Sequence, residues 1–271
     1  MGALAVRFVG AGPGAADLLT VRAARLLADA EVVLYPGSYL DAAVLERCSG
    51  AAELVDTQRL DLDAIVDRMV TAHRAGRAVV RLVSGDPSLY SAVFEQTRRL
   101  DAAGVPWEIT PGVPAYAAAA ALLGRELTVP LVAQSVVLTR VQAQSTAMPS
   151  GESLAAFAAT GATLVLHLAI TRIRALMSEL APGYGSGCPV AVVYRASQPG
   201  ELVLRGTVAD IADAVEAAGL RSAAVILVGR AVADLPDPCG GESHLYDAAR
   251  DRSGQGQRPL GDRPGRFPAC E

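Results

Sequence analysis

Val6-Arg7-Phe8-Val9 running into Gly10-Ala11-Gly12-Pro13-Gly14 is the stretch that decides the fold. Four residues of strand character end in a glycine-rich turn, and the next segment reads as a helix. Asp17 or Thr20 caps it, and Leu19, Ala23, Leu26, Leu27 and Ala30 share one face through Ala30. Strand, tight turn and amphipathic helix make the first half of a βαβ unit, so a parallel strand is expected next.

The sequence outward from that turn supplies it repeatedly. Glu31–Tyr35, Glu53–Val55, Ala78–Val83 and Trp107–Thr110 read as strands. Helices are expected near Leu40–Cys48, from a cap at Asp61 or Asp63 through Ala75 with Gly76 as its stop, and near Ser91–Ala103 up to Gly104. Pro111-Gly112-Val113-Pro114 then punctuates the chain. Beyond it come an Ala-rich helix (Ala115–Leu123), strands (Ser135–Thr139, Ala162–Leu168, Val190–Tyr194, Glu201–Arg205, Ala223–Val228) and helices (Ser153–Ala159, Thr171–Leu180, Val208–Ala217). Several of these strands are close enough to pair antiparallel. The fold class is α/β: a mostly parallel sheet over 1–113, a mixed sheet over 114–236, and a flexible tail over 237–271, where Gly, Pro, Arg and Asp replace large apolar residues.

Composition narrows the chemistry. All 24 basic residues of the 271 are Arg, with 28 acidic residues and a net charge of −4. Without Lys there is neither a phosphate-loop lysine nor Schiff-base or pyridoxal chemistry. Cys48, Cys188, Cys239 and Cys270 are widely spaced, as are His73, His167 and His244, so neither a disulfide framework nor a metal site is expected. The mean hydropathy is +0.31, yet the longest apolar run, Ala115–Leu123, is about half the ~20 residues of a membrane span. No secretory signal opens the chain, so the cytoplasm is the expected compartment. A pI near 5.5 argues against nucleic acid as a partner.

The Gly10-x-Gly12-x-Gly14 turn fits a dinucleotide poorly. Ala15 stands where a third fingerprint glycine would fall, Pro13 lacks an N–H, and Tyr35-Pro36 closes the second strand without a ribose-binding acid. A plain helix-on-strand turn remains open, and so does a conventional single-domain methyltransferase loop, although it too lacks its acidic partner. Ser84-Gly85-Asp86-Pro87 and Pro111-Gly112-Val113-Pro114-Ala115 also follow expected parallel strands, at the carboxyl ends where open α/β sheets bind ligands. Three such loops point to one crevice.

Together these loops, with Leu19-Thr20, resemble the tetrapyrrole methylases, the S-adenosylmethionine-dependent enzymes of corrin and sirohaem synthesis, over roughly residues 5–235. Val33-Leu34-Tyr35-Pro36-Gly37-Ser38, Gly85–Ala92 with Glu95-Gln96, Gln134–Arg140 and Val192–Ser197 resemble the precorrin-4 C11-methyltransferases of that family. Uroporphyrinogen methylases usually carry Arg at the position of Ala92. The resemblance implies two α/β domains with S-adenosylmethionine in the cleft and S-adenosylhomocysteine as its product. By position it implies cofactor contacts at Pro13, Ser84, Gly85, Asp86, Leu89, Pro114, Ala115, Leu168 (where relatives often have Met) and Ala196. The implied substrate is precorrin-4 or its cobalt form, a polycarboxylate, and a homodimer is expected. Arg140 and Arg195 are the first candidates to bind it, with Arg81 and Tyr35 behind; Arg grips carboxylates bidentately. Asp86 and Glu95 are the candidate proton handlers. His167 reads as a satisfied interior histidine and Tyr116 as packing. Competing readings are a methylase of another ring carbon, a silent cofactor-binding module and, more distantly, a dehydrogenase.

Overall fold

A computed structural model of the chain describes residues 5–37, 40–141, 147–234 and 243. Apart from Ser243, the expected tail 237–271 lies outside the described residues.

The first sheet contains β1 (Val6–Gly10), β2 (Val32–Tyr35), β3 (Glu53–Asp56), β4 (Val79–Val83) and β5 (Trp107–Thr110), in the order β3-β2-β4-β1-β5. Every pairing in it is parallel. The connecting helices are α1 (Val21–Ala28), α2 (Ala42–Leu45), α3 (Leu62–Arg74) and α4 (Val93–Ala102). Alternation along the strands assigns the two faces. Phe8 and Leu34 pack with Met69 of α3 and Leu100 of α4, whereas Val9, Val33 and Leu82 pack with Ala23 and Leu27 of α1.

Local signals set the helix ends. Thr20 caps α1 by accepting a hydrogen bond from the Ala23 N–H at 3.0 Å, and Asp17 sits in the 3-10 turn before it. Asp61 caps α3 by accepting from Ala64 at 2.8 Å, and Gly76, at φ +73°, takes the left-handed turn after it. The expected helix near Leu40–Cys48 is the short α2, with Asp41 as its cap.

The chain crosses to the second sheet through α5 (Ala115–Leu123). That sheet contains β6 (Val136–Arg140), β7 (Thr163–His167), β8 (Pro189–Tyr194), β9 (Leu202–Thr207) and β10 (Ala224–Val228), ordered β6-β7-β10-β8-β9. It is mixed: β6 runs parallel to β7, and β10 pairs antiparallel with β7 and β8. α6 (Leu154–Ala158), α7 (Ile173–Tyr184) and α8 (Ile211–Ala217) cover one face through Leu154, Leu176, Leu180 and Ile211. α5 covers the other, against Val165, Val193 and Leu227. α7 runs past the expected Leu180 to Tyr184, with Pro182 inside its last turn, and Gly183 there lets α6 approach: a Cβ would stand 2.6 Å from that of Ala158. Among the described residues, no helix is long and apolar enough to cross a membrane.

Candidate active site

The three glycine and proline loops meet at the carboxyl ends of β1, β4 and β5. Ala11 donates to the Val83 carbonyl at 2.8 Å, and Gly12 and Gly85 exchange backbone hydrogen bonds of 3.1 and 2.8 Å. The backbones approach too closely for side chains: a Cβ on Gly112 would lie 2.3 Å from the Gly85 carbonyl oxygen, and one on Gly10 would lie 2.6 Å from the Gly112 Cα.

Asp86 locks this junction. One carboxylate oxygen accepts from the Ser88 N–H at 2.9 Å and from the Ser88 hydroxyl, and the other accepts from the Gly112 N–H at 2.8 Å. Burial alone would raise its pKa, but the hydrogen bonds from Ser88 and Gly112 outweigh it and hold the carboxyl below its ordinary value. Asp86 is thus an anion held in place by three accepted hydrogen bonds.

The second sheet closes onto the first loop through a turn after β8. The Ala15 N–H donates to the Ser197 hydroxyl at 3.2 Å, and the Gln198 amide donates to the Pro13 carbonyl at 2.6 Å. Gln198 also accepts from Arg195 Nε at 3.3 Å. Arg195 and Ser197 take φ of +49° and +63° to make the turn, a strained geometry of the kind that gathers at functional sites.

Two cavities lie between the sheets and share Ser84, Ala115, His167 and Leu168. The smaller, about 340 Å³, adds Gly85, Asp86, Leu89 and Pro114, together with Pro36, Arg81, Tyr90 and Ser91. The larger, about 680 Å³, adds Pro13 and Ala196, together with Arg195, Gln198 and Arg221. All nine positions implied as cofactor contacts therefore face this one cleft. Leu168, at φ +55° and 68% exposed, turns out of the end of β7 to form the wall common to both.

The implied substrate residues divide. Arg195 faces the larger cavity and Arg81 the smaller. Arg140 ends β6 opposite His167 and lines neither. Burial raises the Tyr90 hydroxyl pKa, and the positive charge of Arg140 partly offsets that. Tyr35 lines neither cavity: its ring packs on the core beside α1, its carbonyl accepts from Thr57, and Pro36 faces the smaller cavity. Glu95 lies exposed on α4 and lines neither cavity, whereas Gln96 next to it is buried.

His167 is not a satisfied interior residue. It stands between Tyr90 and Tyr116, with ring centroids 5.5 and 6.4 Å away, and its Nε2 is buried without a hydrogen-bond partner. Burial lowers its pKa and keeps it neutral. Tyr90, Pro36 and Gln198 are lining residues that sequence reasoning did not single out. For Tyr90 the signal was its place in the loop after Gly85-Asp86-Pro87.

Residues 5–212 match the family profile "Tetrapyrrole (Corrin/Porphyrin) Methylases". A precorrin-4 C(11)-methyltransferase of Rhodococcus erythropolis is 54% identical over 92% of this chain and 99% of its own length. The solved structure of a cobalt precorrin-4 methyltransferase, a cobalamin biosynthetic enzyme, superposes with a TM-score of 0.82 at 38% identity, over 85% of this chain and 96% of the other. Uroporphyrin-III C-methyl transferase from Thermus thermophilus, complexed with S-adenosylhomocysteine, superposes at 0.71 with 31% identity, over 84% and 93%. With its two sheets, its clasped glycine loops and the cleft between them, the chain belongs to the tetrapyrrole methylases.

Proposed function

We propose that this chain transfers a methyl group from S-adenosylmethionine to C11 of precorrin-4, or of its cobalt form, in cobalamin biosynthesis. The observation that carries the reading is the convergence of nine separate positions on one cleft at the strand ends. Similarity to a precorrin-4 C(11)-methyltransferase, 54% identical over nearly the full length of both chains, supports C11 as the carbon.

The cleft fits the cofactor. Cavities of about 340 and 680 Å³ fall within the ~300–1,000 Å³ of small-molecule sites. The walls at Gly85, Pro114, Ala115 and Ala196 offer backbone groups and little side-chain bulk, suited to a ligand with adenine, ribose and amino-acid ends and no phosphate. When bound, S-adenosylmethionine would supply a sulfonium methyl whose carbon a ring carbon attacks, the S–CH3 bond breaking as S-adenosylhomocysteine leaves as a neutral thioether. The chain supplies position. Asp86 fixes the Gly85 and Gly112 loops, Gln198 pins the Pro13 turn, and Leu168 closes the shared wall. Alignment of this kind is worth up to ~7–11 kcal/mol of barrier. Arg195, steered by Gln198, is the candidate partner for substrate carboxylates in the larger cavity, and Arg140 acts at the rim near Tyr90.

Division into units 1–113 and 114–236, homodimerisation and a cytoplasmic location belong to the same proposal, the last supported by the free thiols Cys48 and Cys188. Incubation with precorrin-4 and methyl-labelled cofactor tests the activity. Label is expected in the tetrapyrrole, and its absence with folded protein contradicts the reading.

A further inference from the structure

Arg81 is the buried cation of the smaller cavity. It sits in β4, paired to Phe8 on one side and Leu34 on the other, and is only 7% exposed. Its side chain is held by two neutral groups. Nε donates to the Gln96 side-chain oxygen at 3.1 Å and Nη1 donates to the Thr57 hydroxyl at 3.1 Å. Both acceptors are themselves fixed. The Gln96 amide nitrogen donates to the Ala92 carbonyl at 3.0 Å, which turns its oxygen toward Arg81. The Thr57 hydroxyl spends its single proton on the Tyr35 carbonyl at 2.9 Å, so a lone pair faces the guanidinium. Gln96 and Thr57 are 2% and 5% exposed.

No carboxylate pairs with Arg81 among the described residues, in contrast to Arg77, Arg99, Arg174 and Arg205 at the surface. Buried charges are ordinarily paired. Burial lowers its pKa to about 10, which still leaves it charged at neutral pH. The side chain is thus oriented by groups that leave its charge uncompensated, with the cavity as the open direction.

We propose that Arg81 receives a carboxylate of the tetrapyrrole substrate in the smaller cavity, with Gln96 and Thr57 as positioning residues that aim its guanidinium. This rests on the methylase reading. The carboxylate could come from the substrate or from the amino-acid end of the cofactor. The cofactor carries a sulfonium and an ammonium against one carboxylate, so the polyanionic tetrapyrrole is the better complement to an unpaired cation.

The test measures KM and kcat for precorrin-4, S-adenosylhomocysteine affinity by calorimetry, and the thermal midpoint. Arg81→Met combined with Gln96→Leu removes the cation and its acceptor together. It should raise KM about 10–100-fold, the worth of a charge-assisted hydrogen bond. The thermal midpoint should hold or rise, because an unpaired buried charge has been removed. Thr57→Val, which keeps the charge, should raise KM about threefold to tenfold with kcat nearly unchanged. An unchanged KM in both variants with active wild type overturns this inference alone, as does a purely structural pattern in which the midpoint falls and KM holds. Lost S-adenosylhomocysteine affinity with unaltered KM assigns the carboxylate to the cofactor and overturns the proposal. A wild type that folds, binds S-adenosylhomocysteine and transfers no methyl to precorrin-4 overturns the methylase reading itself.

Discussion

Single residues divide the site into groups that hold the loops and groups that line the cleft. Asp86 holds. Asp86→Asn removes the anion that accepts from Gly112, and a charged hydrogen bond is worth ~1.5–3 kcal/mol. S-adenosylhomocysteine binding should therefore weaken about tenfold or more by calorimetry, since the Gly85 and Gly112 loops lose their tie. Glu95→Gln, by contrast, should leave turnover within about twofold, as exposed substitutions away from a site rarely exceed ~0.5 kcal/mol. His167 lines both cavities, and its lowered pKa gives a pH signature. The unfolded chain takes up a proton near pH ~6.5 while the folded chain resists it. Stability contributed by the neutral ring is thus complete above that pH and lost as pH falls below it. Urea titrations of wild type and His167→Phe at pH 7.5 and 5 should show a smaller acid loss in the variant; equal losses contradict the assignment.

At the scale of elements, the legible features were those with local causes. Trp107–Thr110 and Ala115–Leu123 form where the sequence places them, and Asp61 and Gly76 bracket α3. The misread ones depend on tertiary context. α4 starts two residues later than expected, because Tyr90 and Ala92 take φ of +52° and +53°. That phase puts Gln96 inside and Glu95 outside. His167 ends an apolar run, and only the left-handed turn at Leu168 reveals that it borders the cleft. The glycine loops were legible as a crevice, but not the reason for their glycines. Gly10→Ala would set a methyl 2.6 Å from the Gly112 backbone and 2.8 Å from the Gly85 carbonyl. It should destabilise by about 1–3 kcal/mol or more in denaturant unfolding. A loss under ~0.5 kcal/mol would show that the loops part easily.

Across the whole molecule, two sheets with separate cores form a single site because one turn reaches over. The bonds from Ala15 to Ser197 and from Gln198 to Pro13 join positions more than 180 residues apart. No short-range sequence pattern reports such a contact, so the clasp could not be read in advance, whereas the α/β character of both halves could. Gln198→Ala should weaken S-adenosylhomocysteine binding about threefold to tenfold, the loss of a neutral hydrogen bond plus the steering of Arg195, with unfolding little changed. Undiminished affinity would mean that the first loop holds its shape alone.

On this reading the cleft delivers a methyl group to one particular ring carbon. Carbon-13 NMR of the product formed from precorrin-4 and carbon-13-methyl S-adenosylmethionine tests it most directly. The enriched methyl is predicted on C11; enrichment at another ring carbon, or none in the tetrapyrrole, would contradict the account.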